Sequence, residues 1–199
     1  MFIETIEPSD APENLAAIYG AVEQSWGFLP NWPKAFSLRP DAMGAWLKLN
    51  LTLKSGMDRR RYELATIAAA RELRSTYCSI AHTWMLRDQV EAHDTDELAA
   101  IWRDAGNADA LDDTDRAVMA YAAKVARDAS EITEADVDEL RSHGLTDQDV
   151  LNIALAASER CFFAKVIDAV GAQADGELAR RMGDEIAELT TVGRPFADD

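Results

Sequence analysis

Residues 63–82 read ELATIAAARELRSTYCSIAH and carry three chemically capable side chains at fixed spacing. The part before residue 75 is rich in Ala, Leu, Arg and Glu, which favour an α-helix. The pattern after residue 76 is again helical, and Ser75 or Thr76 suits the N-cap of that second helix. The stretch therefore predicts two helices joined near residue 74.

The predicted hairpin brings a carboxylate, an imidazole and a thiol together. Cys78 falls in the first turn of the second helix, where the helix dipole lowers the pKa of a thiol. His82 lies four residues later, on the same face and one turn along. In an antiparallel hairpin Glu63 is level with residues 82–85, beside His82. This order predicts an orienting carboxylate, a base and a nucleophile.

The spacing resembles the active-site segment of the carboxymuconolactone decarboxylase superfamily, specifically its AhpD-like, peroxidase-related branch. That motif has a Glu followed, twelve residues later, by Cys-x-x-Cys-x-x-x-His. Glu63, Cys78 and His82 match the Glu, the second Cys and the His, so the resemblance implies that these three are catalytic. Ser75 stands at the first Cys, and a serine cannot form a disulfide with Cys78. Ser75 and Tyr77 are expected to belong to the pocket.

The resemblance extends to GFLPNWP at residues 27–33 and to residues 111–171. It implies an all-α, AhpD-like fold built on antiparallel helical hairpins. No segment has the period-2 pattern of a strand, which agrees with that class. The expected organisation is a single domain over residues 1–199, with a core at about 10–190 and a loose tail at 190–199.

The overall charge limits the kinds of partner. A formal net charge of −16 argues against nucleic acid and against anionic membrane surfaces. No apolar run approaches the ~20 residues that a membrane span needs, and the N-terminus lacks the basic start of an export signal. Two cysteines without such a signal suggest free thiols and a cytoplasmic location.

The remaining candidate residues predict structural roles. Cys161 lies in residues 150–170, a helix that is apolar nearly all round, and is expected to be buried as a packing residue. That helix is expected to be central or at a subunit interface. His93 and His143 suit surface positions at helix ends. The spacing of Cys and His predicts no metal site, and no sequence motif predicts a cofactor.

The sequence favours one function and leaves two others open. The first is a peroxidase-related enzyme in which Cys78 attacks a small hydroperoxide and an external thiol restores it. The second is lactone or keto-acid decarboxylase-type chemistry on a carboxylic substrate, with Glu63 and His82 as proton carriers. The sequence does not obviously place a basic residue for such an anion. The third is a non-catalytic oligomeric helical protein. The resemblance also implies a homo-oligomer, either a dimer or a trimer-based assembly.

Overall fold

The computed structural model describes residues 1–197, which form eleven α-helices and no strand. The all-α prediction is therefore confirmed for this part of the chain. None of these helices is long and apolar enough to cross a membrane. The helices are α1 (Glu13–Trp26), α2 (Asn31–Ala35), α3 (Pro40–Ser55), α4 (Arg59–Glu72), α5 (Thr76–Met85), α6 (Thr95–Asp104), α7 (Asp113–Asp128), α8 (Glu134–Ser142), α9 (Asp147–Ala169), α10 (Gly176–Met182) and α11 (Asp184–Thr190).

Helix α4 is deeply buried over much of its length and packs against α5, α7 and α9. Its N-terminus is capped by Asp58, whose carboxylate accepts a hydrogen bond from the Arg61 N–H at 3.0 Å. Nine consecutive residues, 62–70, are buried, and four of them are alanines. Small side chains let the neighbouring helices approach on several sides at once. A polar residue placed in this run is therefore withdrawn from bulk water.

The turn between α4 and α5 uses an unusual backbone conformation. Arg74 has a φ of 54°, in the left-handed region that a helix C-terminus often uses for one residue. The Ser75 N–H then donates to the Ala70 carbonyl at 3.0 Å, which satisfies a carbonyl at the end of α4. The turn sends α5 back along α4, so the predicted helical hairpin is present.

Capping explains where several later helices begin. Capping boxes open α8, where Thr133 pairs with Asp136, and α9, where Thr146 pairs with Asp149. The same reciprocal pattern opens α6 at Asp94 and α7 at Asp112. Each box satisfies two backbone N–H groups that would otherwise lack partners.

Helix α9 is not buried on every side within one chain. This corrects the expectation of a central helix and leaves open the alternative of a subunit interface. Leu151, Leu155 and Phe162 are exposed and follow one another at helical spacing along one face. Arg160 lies on the opposite face, Glu159 lies at the edge of the exposed stripe, and both are buried. Because most positions of α9 are apolar, its sequence does not indicate which face lies inward. Glu159 and Arg160 are buried because buried partners satisfy their charges.

The C-terminal part also differs from expectation. The last helical stretch is divided into α10 and α11 at Gly183, whose φ is 83°. Residues 191–197 of the predicted loose tail make hydrogen bonds to the body. The Gly193 N–H donates to the Thr76 hydroxyl at 3.0 Å, and Arg194 lies over the Phe2 ring at 4.8 Å. The Phe2 N–H donates to the Val170 carbonyl at 2.8 Å. Residues 198 and 199 lie outside the described residues.

Candidate functional site

Glu63 and His82 are hydrogen-bonded across the hairpin. The carboxylate oxygen Oε2 lies 2.5 Å from the imidazole Nδ1. The other oxygen, Oε1, accepts a hydrogen bond from the Arg59 guanidinium at 2.9 Å. Both partners of the central pair are buried. The hairpin geometry read from the sequence thus holds for this contact.

The same pair fixes the protonation state of the imidazole. Burial alone would raise the pKa of Glu63, but His82 and nearby cations lower it below its ordinary value. Burial and the Arg160 charge lower the pKa of His82 to about 4, against the opposing effect of Glu63. The imidazole is therefore neutral near pH 7. Since an ionised carboxylate only accepts, Nδ1 carries the hydrogen and Nε2 keeps a free lone pair.

Acidification is expected to destabilise the protein through His82. The pKa of this side chain is 6.5 at its ordinary value and about 4 when folded, so the unfolded chain binds more protons between the two. Stability from this group is complete above pH 6.5 and falls as the pH decreases toward 4, by roughly 3 kcal/mol in all. Urea unfolding at pH 7, 5.5 and 4 measures this loss. His82→Gln should lose less stability over the same range, and an identical pH dependence in both proteins would contradict the assignment.

Cys78 is buried in the first turn of α5, and its thiol faces a cation. The Sγ atom accepts a hydrogen bond from Arg160 Nη1 at 3.7 Å. Burial raises the pKa of Cys78 above its ordinary value, although Arg160 and Ser75 partly lower it. The expected lowering by helix position is therefore outweighed by desolvation. Among residues 1–197 no hydrogen bond joins Sγ to His82 directly.

Arg160 is the site residue that sequence reasoning missed. It is 2 % exposed, and its Nη2 group donates to the Glu159 carboxylate at 3.2 Å. Burial alone would lower the pKa of the guanidinium, but Glu159 and Cys78 raise it, so the side chain is charged. Its guanidinium also lies 5.2 Å from the centre of the Phe163 ring. The sequence feature that could have indicated Arg160 is a Glu-Arg pair within the otherwise apolar run of α9.

Buried polar groups hold the Glu159 carboxylate in place. Oε1 accepts hydrogen bonds from Trp46 Nε1 and, at 3.5 Å, from Asn50. Asn50 also donates to the Tyr62 hydroxyl at 2.7 Å. A carboxylate withdrawn from water needs such donors as well as its cation. The network therefore fixes Arg160 against the thiol.

Ser75 and Tyr77 occupy different positions around the thiol. Tyr77 borders the cavity, but its hydroxyl is engaged by the Trp32 N–H at 3.1 Å and by the Asp175 carboxylate. Ser75 is fully buried at the start of α5 and does not line the cavity. Its hydroxyl has no hydrogen bond of normal geometry among the described residues. It nevertheless lies close enough to Cys78 to lower the pKa of that thiol.

Cys78, His82 and Arg160 border one cavity of about 450 Å³. This volume lies in the range of small-molecule sites. The walls are mainly apolar, and five aromatic residues contribute to them: Trp26, Trp32, Trp46, Tyr77 and Phe163. Exposed residues such as Leu51 and Gln89 also border it, so the cavity reaches the surface. The aromatic segment around residues 27–33 thus packs on the body and supplies part of the wall.

The remaining cysteine and histidines lie elsewhere. Cys161 is partly exposed rather than buried, and it does not line the cavity; both cysteines are free. His93 is buried and contacts Arg60, which corrects its expected surface position. His143 pairs with Glu139 at 3.2 Å. Within residues 1–197 no group of three or more His, Cys, Asp or Glu side chains could hold a metal ion.

One known protein is similar to this chain in sequence over part of its length. An alkyl hydroperoxide reductase of Mycobacterium tuberculosis is 37% identical over 125 residues, which cover 61% of this chain and 34% of that protein. The match thus spans about a third of the relative's length. No protein-family model matches the sequence.

Solved structures share the fold over nearly the whole chain. A peroxidase-related protein with an alkylhydroperoxidase AhpD core, from Ralstonia eutropha, has a TM-score of 0.79 at 23% identity, covering 97% of both chains. A peroxidase-related protein from Silicibacter has a TM-score of 0.77 at 23% identity, covering 89% of this chain and 94% of its own. The debrominase Bmp8, in complex with 2,3,4-tribromopyrrole, has a TM-score of 0.77 at 19% identity, covering 94% and 97%.

These likenesses establish the architecture rather than the reaction. Identities below 25% accompany agreement over nine-tenths of the chain, so the helices and their order are shared. The fold that the resemblance implied is thereby confirmed: the chain has the AhpD-like helical fold.

Proposed function

We propose that the protein is a peroxidase-related oxidoreductase that reduces a small hydroperoxide through Cys78. The observation that supports this function most directly is the arrangement around the thiol. A buried sulfur faces the Arg160 guanidinium at 3.7 Å, and a neutral His82 held by Glu63 borders the same cavity. The site thus combines a nucleophile, a base and a fixed positive charge.

The proposed reaction begins with transfer of the thiol proton to His82. The raised pKa of Cys78 means that this proton is present at neutral pH, so a base is required. Arg160 stabilises the thiolate, and the hydrogen bond to Glu63 stabilises the imidazolium. The sulfur then attacks the terminal oxygen of the hydroperoxide, the O–O bond breaks, and the alkoxide takes the proton from His82. The products are an alcohol and a Cys78 sulfenic acid.

An external thiol is proposed to complete the cycle. Ser75 cannot supply a second sulfur, and Cys161 lies outside the cavity lining. One external thiol attacks the sulfenic acid, forming a mixed disulfide and releasing water. A second external thiol releases Cys78 and leaves as the external disulfide. Hydroperoxide and two thiols thus become alcohol, water and one disulfide.

Peroxide treatment is expected to oxidise Cys78 selectively. Dilute cumene hydroperoxide followed by dimedone should label Cys78, as detected by peptide mass spectrometry, because dimedone traps a sulfenic acid. Cys161→Ser should retain the labelling and the thiol-dependent consumption of peroxide, whereas Cys78→Ser should lose both. An unmodified Cys78 after treatment of the folded protein would reject the proposed reaction.

A second function deserves a test because the cavity contains two cations. Lys54 and Arg160 both border it, whereas the sequence had not indicated a basic residue for an anionic substrate. They support proton-transfer chemistry of the lactone or keto-acid decarboxylase type, with Glu63 and His82 as proton carriers. In that case Cys78→Ser would keep full turnover. The non-catalytic alternative is disfavoured by a cavity of about 450 Å³ that reaches the surface.

Assembly and location remain predictions. A homo-oligomer, either a dimer or a trimer-based assembly, is supported by the exposed side chains of Leu151, Leu155 and Phe162 on α9. Burial of such a stripe between copies would remove apolar surface from water. Light scattering of the purified protein tests the assembly. The cytoplasmic location is a proposal that rests on the sequence.

A further inference from the structure

The charged side chains around the cavity carry more positive than negative charge. Glu63 is paired with Arg59 at 2.9 Å, and Glu159 is paired with Arg160 at 3.2 Å. Each carboxylate therefore has its own arginine. Lys54 also borders the cavity, and it brings a further positive charge.

Lys54 has no carboxylate partner within the described part of the chain. No Asp or Glu oxygen among residues 1–197 lies within 4 Å of its Nζ, which instead sits 5.3 Å from the centre of the Tyr62 ring. Lys54 is partly buried, and this burial lowers its pKa against the opposing attraction of Glu63. The charge of Lys54 also helps to lower the pKa of His82, so it acts on the reactive end of the cavity.

A second cation beside the same cavity has an unsatisfied donor. Arg160 uses Nη1 on the Cys78 sulfur and Nη2 on Glu159. Its Nε group is buried and has no hydrogen-bond partner among residues 1–197. Buried donors without partners are rare in folded proteins and call for an explanation. The Nε atom is not exposed to the cavity, so it is the positive charge of Arg160 that acts on an anion there.

The aromatic residues that line the cavity determine which apolar group such a ligand can carry. Trp26, Trp32, Trp46 and Phe163 provide aromatic surface, which favours a flat or branched apolar group. The protein as a whole carries a net charge of −16, so its long-range field does not attract anions. A preference for an anion must therefore come from the local cations.

We propose that the cavity binds amphipathic carboxylates, with the apolar body against the aromatic wall and the carboxylate paired with Lys54. For the reaction this inference rests on the proposed function, since it assigns carboxylate-bearing apolar hydroperoxides as the substrate class. The binding step itself does not depend on Cys78 chemistry.

Binding of a matched pair of probes tests the charge preference. The probes are 4-phenylbutyrate and the neutral 4-phenylbutyramide, titrated by calorimetry and by tryptophan fluorescence. Wild type should bind the carboxylate about tenfold more tightly than the amide, as one ion pair in a partly buried site allows. Lys54→Met should abolish this ratio, whereas Lys54→Arg should retain most of it.

Lys48→Met is the matched control, because Lys48 is an exposed residue of the same helix that does not line the cavity. It should keep the wild-type ratio. Equal affinities for the two probes in wild type, a ratio that survives in Lys54→Met, or no binding of either probe would overturn the inference. Circular dichroism of each variant establishes that it is folded.

The rate of Cys78 oxidation separates this inference from the proposed function. Cumene hydroperoxide and its ring-carboxylated analogue are compared with wild type and Lys54→Met. The analogue should react about tenfold faster per unit concentration in wild type only, on the same ion-pair argument. A carboxylate binding preference without any oxidation of Cys78 would reject the peroxidase reaction and keep the inference. Equal oxidation of Cys78 by both hydroperoxides, with no binding preference, would reject the inference and keep the peroxidase reaction.

Discussion

Arg160→Met is expected to lower the free energy of unfolding by about 3–5 kcal/mol, because it leaves the Glu159 carboxylate buried without its cation. Glu159 is 4 % exposed, and its remaining partners are neutral donors on Trp46 and Asn50. Neutral donors compensate a buried charge only in part. Urea unfolding at pH 7, followed by tryptophan fluorescence and circular dichroism, measures the loss.

Two further variants test the cause of that loss. Adding Glu159→Gln to Arg160→Met should recover most of the stability, since both charges are then absent and the amide oxygen still accepts from Trp46. Arg141→Met is the surface control: its pairs with Asp138 and Asp147 are solvent-exposed, so its loss should stay below about 1 kcal/mol. A double variant as unstable as Arg160→Met alone would show that packing, rather than the stranded charge, causes the loss. Even when stable, the double variant should form the Cys78 thiolate less readily than wild type.

Ser75→Cys is expected to convert the single-thiol site into a dithiol site. Ser75 is three residues before Cys78 at the start of α5, and its side chain is close enough to lower the pKa of the thiol. Residues at this spacing in a helical turn bring their Cα atoms within the range that a disulfide requires. Hydroperoxide should then produce an internal disulfide in place of a lasting sulfenic acid. The sulfenic acid should disappear at least about tenfold faster without added thiol, because attack within the chain replaces a bimolecular step.

Mass spectrometry of the peroxide-treated variant provides the readout. The peptide that contains residues 75 and 78 should lose two hydrogens and no longer take up dimedone, and a dithiol reductant should restore it. Ser79→Cys is the matched control, because Ser79 is also buried but is adjacent to Cys78 in the chain. It should show persistent dimedone labelling. A Ser75→Cys protein that keeps a long-lived sulfenic acid would mean that the two sulfurs cannot meet.

The sequence predicts those parts of the site that depend on spacing along one hairpin. Glu63 and His82 meet because both lie on helices joined by one turn, so counting residues gives their relative level. The thiol pKa was harder to predict, since the helix dipole and burial act in opposite directions on Cys78. Only the depth of α5 in the fold shows that burial has the larger effect.

Arg160 illustrates what sequence periodicity could not provide. The run around it is apolar on most positions, so the pattern does not say which face of α9 turns inward. The orientation depends on partners distant in the chain, namely Cys78 on α5 and Trp46 on α3. Those long-range contacts place a guanidinium in the core and leave Phe162 at the surface.

The two ends of the described chain meet at one corner of the molecule, where Phe2 contacts both Val170 and Arg194. None of these three residues borders the cavity, whose exposed rim includes Leu51 and Gln89. A fluorescent reporter, an affinity tag or a tether to a sensor chip attached at residue 2 or 194 would thus be carried by a residue that does not border the cavity. The architecture separates the place where the polypeptide can be anchored from the place where a small molecule enters.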